Sequence, residues 1–175
     1  MQYNHREAQI PTRILEATMI ADRLKELLDE RHIKYEVIQH ATAYTAQEEA
    51  AVTHVPGAQW AKTVVVLTDG DPVLAVLPAH RKIDLDRFRA VTGADEVKIA
   101  GEKAFRELYP DCEVGAMPPF GNLYGQTTFV DEGLRTEEAI AFHAGDHETA
   151  IRMAYSDFEE LAEAVPEMFT TDEVG

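Results

Sequence analysis

Two apolar runs separated by a short group of turn residues set the strongest constraint on how this 175-residue chain can fold. Residues 62–67 and 73–77 are rich in Val and Leu, and the sequence Asp-Gly-Asp-Pro occupies positions 69–72 between them. Runs of this kind favour β-strands, and breakers placed so closely between them favour an antiparallel connection. The pattern therefore predicts a β-hairpin with a turn over 69–72, which provides two strands of a sheet.

The rest of the chain alternates between helical and extended patterns. Residues 12–31 have apolar side chains at helical spacing, with Thr12 in the capping position, and residues 45–52 start with Thr45 and Glu48 at capping-box spacing. Further helices are predicted over 84–92, 101–109 and 156–164, the last capped by Ser156, and further strands over 35–38, 97–99, 123–130, 138–142 and 150–155. Residues 131–133 are predicted to form a turn. This order favours an α+β domain with a closed or strongly curved sheet.

Lys62 lies where a turn-like stretch enters the first hairpin strand. A cation held by rigid backbone at a strand end can bind a carbonyl or phosphate group of a substrate. The alternative is a surface lysine whose aliphatic stem covers the strand end.

A stiff loop follows further along the chain. It consists of Gly115, Ala116, Met117, Pro118, Pro119, Phe120 and Gly121. The prolines fix φ and remove two N–H donors, whereas the glycines permit a close approach between backbone and ligand. Taken alone, the loop could also be an ordinary hairpin connection.

Lys62, this GxxxP loop and the segment 141–145 together resemble the YbaK/prolyl-tRNA-synthetase-associated editing domain, over about residues 19–165. The resemblance implies a mixed, barrel-like β-sheet flanked by helices and an aminoacyl-tRNA deacylase activity. It implies catalytic roles for Lys62 and Gly115, and substrate binding by the other loop residues together with His143 and Gly145. Residues 1–18 are then an N-terminal extension, and residues 166–175 an acidic C-terminal tail.

The chemistry expected of such a site needs no cofactor. Because no nucleophile-elbow motif accompanies a serine, we expect hydrolysis without a covalent enzyme intermediate. The resemblance implies that water, or a hydroxyl or thiol of the substrate, supplies the nucleophile. His143 and His147 are four residues apart, but Gly145 interrupts any helix there and no third ligand is evident, so no metal site is expected. The remaining candidates are expected to be structural or surface residues: Cys112, His40, His54 and His80.

The charge of the chain is unevenly distributed. The net charge is −16, and residues 107–175 contain 2 Lys/Arg against 16 Asp/Glu. Half of the basic residues lie near the expected site in the sequence: Lys62, Arg81, Lys82, Arg87, Arg89, Lys98, Lys103 and Arg106. They could bind the acceptor end of a tRNA, or they could be solvated helix faces. The acidity could also reflect a salt-rich habitat.

Three functions fit these patterns. The first is a free-standing trans-editing deacylase that hydrolyses mischarged aminoacyl-tRNA carrying a small amino acid. The second is a non-catalytic module of the same fold that binds an aminoacyl group or joins an aminoacyl-tRNA synthetase, and the third is a hydrolase of small esters. The apolar runs are too short for a membrane span and the N-terminus lacks the pattern of a secretion signal, so a cytoplasmic protein without a membrane partner is expected.

Overall fold

The computed structural model describes residues 21–172, and this part of the chain contains six α-helices and ten β-strands. The helices are α1 (Asp22–Glu30), α2 (Ala46–Thr53), α3 (Leu85–Thr92), α4 (Glu102–Leu108), α5 (Glu132–Arg135) and α6 (Tyr155–Leu161). The strands are β1 (Tyr35–Gln39), β2 (Ala61–Thr68), β3 (Asp71–Pro78), β4 (Arg81–Ile83), β5 (Val97–Ile99), β6 (Thr128–Asp131), β7 (Ala139–His143), β8 (Thr149–Ala154), β9 (Val165–Glu167) and β10 (Thr170–Asp172).

The strands form three sheets. The largest has the order β5-β2-β3-β6-β9, the second has the order β1-β8-β7, and β10 pairs with β4. Both parallel and antiparallel pairs occur in the largest sheet. The α+β class with mixed sheets is therefore confirmed, whereas the described strands do not close into one barrel.

The predicted hairpin is confirmed as β2 and β3. Its antiparallel register runs from Ala61 opposite Pro78 to Thr68 opposite Asp71. The turn is shorter than predicted, because Asp71 and Pro72 already belong to β3 and only Asp69 and Gly70 remain between the strands. Both turn residues have positive φ, which suits the right-handed twist of a two-residue hairpin turn.

An isolated backbone bridge lies between the two larger sheets. Trp60, directly before β2, forms an isolated parallel bridge with Ala141 of β7. The indole of Trp60 is fully buried in a small apolar cluster that includes Ala141 and Ala150. The start of β2 is thereby fixed beside β7.

The largest apolar cluster lies between α1, α6 and the second sheet. Leu24 and Leu28 of α1 are fully buried, four residues apart on one helix face. The ring of Phe120 contacts Phe142 at 5.6 Å and Phe158 at 5.5 Å between ring centroids. This contact anchors the loop 115–121 in the core.

The predicted cap Thr12 of the first helix lies outside the described residues.

One face of the largest sheet packs against α3 and against the segment that contains β9 and β10. Phe88 of α3 and Phe169 are fully buried, with ring centroids 5.1 Å apart. Phe169 connects β9 and β10, which the sequence patterns do not predict. The segment 165–172 therefore contributes both strands and core side chains.

The helix ends follow the sequence signals where these are local. Thr45 and Glu48 form the predicted capping box of α2, with Thr45 Oγ1 accepting from Glu48 N at 3.1 Å. Helix α3 begins after the side-chain cap Asp84 and ends at Gly93, as predicted. The capping box fixes where α2 begins, and α2 contributes Glu49 to the site described below.

Three predicted elements are wrong in their bounds. Residues 121–124 form a 3₁₀ turn, so the strand predicted over 123–130 is limited to β6. The predicted turn after it is helix α5, because the Asp131 carboxylate accepts from Gly133 N and caps the helix. Helix α6 begins at Tyr155, so Ser156 lies inside its first turn and is not its cap.

No helix within residues 21–172 combines the length and the apolar character that a membrane span requires.

Arg81 attaches the last strand to the rest of the fold. Its Nε donates to Thr170 Oγ1 at 2.6 Å, and Nη1 donates to Asp172 Oδ1 at 2.7 Å. We expect Arg81→Ala to lower the free energy of unfolding by about 1–2 kcal/mol, because partly buried acceptors lose their donors. Urea denaturation would measure the loss. Arg106→Ala, which removes an exposed pair with Glu102, is the matched control and should change stability by less than about 0.5 kcal/mol. Equal effects of the two substitutions would contradict this role.

Candidate functional site

Lys62 and His143 lie on the same side of the junction between the two larger sheets. Side chains alternate along a strand, so Lys62 projects from the same face as Trp60 two residues earlier. The indole ring of Trp60 meets the imidazole of His143 edge to face, with centroids 5.5 Å apart. Lys62 and His143 each lie two residues after the isolated bridge between Trp60 and Ala141. Two residues selected from distant parts of the sequence therefore both follow this bridge.

The loop 115–121 is joined to the turn that follows β7. Gly145 N donates to Ala116 O at 2.9 Å, and Glu113 N donates to Gly145 O at 2.8 Å. Gly145 and Gly115 both have positive φ, +115° and +85°. A Cβ atom at Gly115 would lie 3.8 Å from Cε1 of His147, so Gly115 borders the histidine-bearing turn.

Most of the loop is buried and holds its conformation through the core. Ala116, Met117, Pro118, Pro119, Phe120 and Gly121 are buried, whereas Gly115 is exposed. Met117 packs in a cluster with Val65 and Leu74, on the face of β2 opposite Lys62. Gly121 has no room for a side chain, because an added Cβ would lie 2.7 Å from Gln126 O. Of these loop residues, Gly115 is therefore the one available to a ligand in this conformation.

A cluster of buried polar side chains lies beside His143. Glu49 of α2 is fully buried, and its Oε2 is 3.4 Å from His143 Nδ1. The other oxygen, Oε1, is 2.9 Å from His40 Nε2. His40 was expected to be a polar surface or helix-end residue, and this is wrong: its side chain is 1% exposed because α2 covers it.

His147 completes the cluster from the other side. Its ring meets that of His143 with centroids 5.2 Å apart. Two carbonyl oxygens flank it, that of Ala43 at 3.1 Å from Nδ1 and that of Val114 at 2.9 Å from Nε2. A neutral imidazole has one N–H, so it can donate to only one of the two carbonyls. Both ring nitrogens of His147 face backbone oxygen atoms.

Burial shifts the proton affinities of two members of this cluster in opposite directions. It raises the pKa of the Glu49 carboxyl to about 8, with a further contribution from the charges of Asp146 and Glu48. It lowers the pKa of the His143 imidazole to about 4, helped by the proximity of His147. At neutral pH His143 is therefore a neutral ring, which can accept a hydrogen bond at one of its nitrogens.

Sequence reasoning missed Glu49 as a site residue. The only signal is that Glu48 and Glu49 are adjacent and that the capping box uses one of them, which leaves the second to face the fold. The other three residues that were expected to be structural or surface residues lie in positions that agree with this expectation. His54 is the exposed C-cap of α2, His80 is exposed between β3 and β4, and burial raises the pKa of the Cys112 thiol to about 12.

Half of the basic residues named above have acidic or carbonyl partners. Arg81 and Arg87 both donate to Thr170 O, at 3.1 and 3.0 Å. Arg89 pairs with Asp86, and Arg106 pairs with Glu102. The exposed lysines of the set are Lys82, Lys98 and Lys103. Among the basic residues of this set, a polyanion would therefore meet mainly these exposed lysines.

Comparison with known families and proteins adds an independent observation. The family model described as the aminoacyl-tRNA editing domain matches residues 40–161, which include Glu49, Lys62, the loop 115–121, His143 and His147. The chain belongs to this editing-domain family. The membership confirms the resemblance stated from Lys62 and the GxxxP loop.

Two proteins are similar to this chain in sequence, and one solved structure is similar in fold. The Prolyl-tRNA editing protein ProX of Acetoanaerobium sticklandii is 27% identical over 144 residues, which cover 78% of this chain and 87% of that protein. A Proline--tRNA ligase of Nitratidesulfovibrio vulgaris is 28% identical over 111 residues, or 63% of this chain and 19% of the ligase. A crystal structure of a candidate trans-editing enzyme for prolyl tRNA synthetase superposes with a TM-score of 0.73 at 21% identity, covering 88% of this chain and 97% of that one. The last similarity supports the fold of the editing domain.

Proposed function

We propose that the protein is a free-standing trans-editing deacylase, which hydrolyses the ester bond of tRNA mischarged with a small amino acid. The observation that carries the proposal is the bridge between Trp60 and Ala141, which Lys62 and His143 each follow by two residues, together with the position of the exposed Gly115 beside His147. Membership of the editing-domain family supports the reaction class. The similarity to ProX, which covers most of both chains, supports a protein that acts apart from a synthetase.

Each residue has a proposed role in this reaction. Lys62 binds the ester carbonyl or the terminal phosphate through a charge-assisted hydrogen bond. Gly115, whose positive φ turns its backbone outward, presents that backbone to the carbonyl as the bond breaks. His143 is neutral at physiological pH, so it can accept a hydrogen bond from the attacking water or from a hydroxyl of the substrate and orient it. Gly145 keeps the turn close to the loop.

The partners follow from the substrate. The acceptor end of an aminoacyl-tRNA is the proposed ligand, and a prolyl-tRNA synthetase is the proposed source of the mischarged product because relatives carry this domain within such a ligase. A cytoplasmic location is part of the same proposal.

A deacylation panel tests the proposal. Purified tRNA charged with each of several small amino acids is incubated with the protein, and the loss of esterified amino acid is followed over time. We expect one or a few aminoacyl-tRNAs to lose their amino acid well above the uncatalysed rate. No acceleration for any member of the panel would overturn the enzyme and leave a binding module.

The second candidate is that binding module, and one observation favours it. Six of the seven loop residues are buried, so the exposed surface around the site is small. A module of this kind would bind aminoacyl-tRNA without changing its rate of hydrolysis. Binding measured beside hydrolysis on the same panel separates the two functions.

Salt dependence should separate a tRNA substrate from a small ester. Because Arg81, Arg87, Arg89 and Arg106 have partners within the protein, we expect only about two to four phosphate contacts and a correspondingly shallow loss of tRNA affinity with salt. An acceptor-end minihelix should bind nearly as well as whole tRNA. Fluorescence binding across a salt series would measure both quantities. An affinity independent of salt, with equal turnover of free amino-acid esters, would favour the small-ester hydrolase.

A further inference from the structure

A row of four aromatic rings in contact runs from the junction of the two larger sheets to the protein surface. Between ring centroids, Trp60 and His143 are 5.5 Å apart, His143 and His147 are 5.2 Å apart, and His147 and Tyr44 are 4.9 Å apart. Trp60 is fully buried, whereas Tyr44 is 72% exposed. The row therefore begins in the core and ends in an aromatic ring that is open to solvent.

The backbone around Tyr44 is anchored on both sides of this exposed ring. Tyr44 N donates to Glu48 Oε1 at 3.0 Å, and the following residue, Thr45, is the cap of α2. The preceding residue, Ala43, is buried, and its N donates to His147 O at 3.1 Å. An aromatic ring on an anchored backbone loses little conformational freedom when a flat ligand stacks on it. Tyr44 is therefore suited to binding such a ligand.

Tyr44 forms part of the wall of an open groove of about 800 Å³. The residues that line this groove include Tyr44, Arg106, Tyr109, Pro110, Val114 and His147. Val114 directly precedes Gly115, and a Cβ atom added at Gly115 would lie 3.8 Å from Cε1 of His147. Sites for small molecules usually occupy roughly 300–1,000 Å³. The groove is therefore large enough for a nucleoside, next to the backbone at which the ester carbonyl is proposed to bind.

The charges around Tyr44 favour an uncharged ring with N–H donors over a phosphate group. A smaller cavity of about 160 Å³, also lined by Tyr44, has the carboxylates of Glu113, Asp146 and Glu148 in its wall. Carboxylates repel phosphate and accept hydrogen bonds. Glu113 accepts from the backbone of the histidine-bearing turn, and Glu148 accepts from Thr42 Oγ1 at 2.6 Å. Since a carboxylate has about four acceptor positions, both can accept a further hydrogen bond from a ligand.

We propose that Tyr44 stacks against the adenine base at the 3′ end of the tRNA substrate, with the amino group of the base directed at the carboxylates of Glu113 and Glu148. The inference rests on the proposed function, because the ribose of this same nucleoside carries the scissile ester. The base must then lie within one nucleoside of Gly115, and Tyr44 contacts the His147 ring that borders Gly115. Unpaired bases at the ends of RNA strands are commonly bound by stacking on aromatic side chains.

The experiment compares fluorescence binding of two acceptor-end minihelices without an amino acid, one with and one without the 3′-terminal adenosine. We expect the unaltered chain to lose at least about 10-fold in affinity when the adenosine is removed, about 1.4 kcal/mol, which lies within the range for one base on an aromatic ring. In Tyr44→Ala the same removal should change the affinity by less than about 2-fold, because the ring that holds the base is gone. Tyr44→Phe keeps the ring and should respond as the unaltered chain does.

A third minihelix tests the edge of the base. It ends in purine riboside, which lacks the amino group, and it should bind about 3-fold or more weakly than the minihelix that ends in adenosine, because a hydrogen bond to a carboxylate is lost. Equal affinity of these two minihelices would overturn the role assigned to Glu113 and Glu148.

Met168→Ala is the matched control, because Met168 is 70% exposed and does not line the groove at Tyr44. It should respond to the terminal adenosine as the unaltered chain does. Circular dichroism checks the fold of each variant, and Tyr44→Leu, which keeps an apolar side chain over His147, replaces Tyr44→Ala if that variant does not fold.

The deacylation panel keeps the two proposals separable. If aminoacyl-tRNA is hydrolysed but removal of the terminal adenosine has the same effect on Tyr44→Ala as on the unaltered chain, or no effect on either, the stacking is overturned and the deacylase stands. If no minihelix binds and no aminoacyl-tRNA is hydrolysed, the substrate is wrong and both proposals are overturned.

Discussion

Lys62→Ala is expected to lower the rate of deacylation by about 30-fold or more without changing the fold. A charge-assisted hydrogen bond that strengthens in the transition state contributes on the order of 2 kcal/mol, and 1.4 kcal/mol corresponds to a factor of ten in rate. Lys62 is half-buried at the start of β2, where a shorter side chain leaves the register of β2 and β3 intact. Single-turnover deacylation of the best substrate, with circular dichroism beside it, measures both effects.

Lys34→Ala is the control for this loss, because Lys34 is an exposed lysine directly before β1 and is not among the basic residues named near the site. It should deacylate at the rate of the unaltered protein. If Lys62→Ala also retained that rate, the lysine would be a surface residue that covers a strand end, and the catalytic role assigned to it would have to be abandoned.

Gly121→Ala is expected to destabilise the protein by about 3 kcal/mol, the upper end of the usual penalty for overpacking. The added Cβ would lie 2.7 Å from both Gln126 O and Thr128 Oγ1, and Thr128 Oγ1 also accepts a hydrogen bond from Gly121 N. Backbone atoms on one side and a buried strand on the other leave little room for adjustment. Urea denaturation would measure the loss of stability.

Gly115→Ala, at the other end of the same loop, should behave in the opposite way. Its added Cβ has ordinary contacts at 3.8 Å, so the main penalty is the positive φ, about 1 kcal/mol for alanine. Activity should fall further than this small change in stability explains, because the added methyl group lies where the ester carbonyl of the substrate is proposed to approach. A loss of stability at Gly115 as large as that at Gly121 would show that both glycines serve only to build the loop.

The parts of the fold that depend on neighbouring residues could be read from the sequence. The hairpin β2-β3 follows from two apolar runs with a breaker between them, and the cap of α2 follows from Thr45 and Glu48 three positions apart. Helix α6 shows the limit of such rules. Ser156 and Glu159 have capping-box spacing, yet the helix starts one residue earlier, and the hydroxyl of Tyr155 takes Glu159 as its acceptor instead.

The site was predictable only in part, for a related reason. Lys62 and the GxxxP loop could be selected as site residues because a family resemblance is recognised from short stretches of sequence. Glu49 could not, because nothing near it in the sequence indicates that α2 packs over β7 and places its carboxylate against His143. The expectation of no metal site followed from the absence of a third ligand within a few residues of His143 and His147. The fold brings the Glu49 carboxylate beside His143 from a helix more than ninety positions away.

The placement of α1 and of Phe169 bears on how this domain could be transplanted or expressed alone. The recognisable family segment is 40–161, but Leu24 and Leu28 before it, and Phe169 after it, are fully buried. Trimming to the segment would expose the apolar floor on which α1 lies and the pocket beside Phe88 that Phe169 fills. The segment that the family model recognises is therefore shorter than the segment that forms the apolar core. A graft of this domain into another protein would have to include both α1 and the C-terminal segment with Phe169.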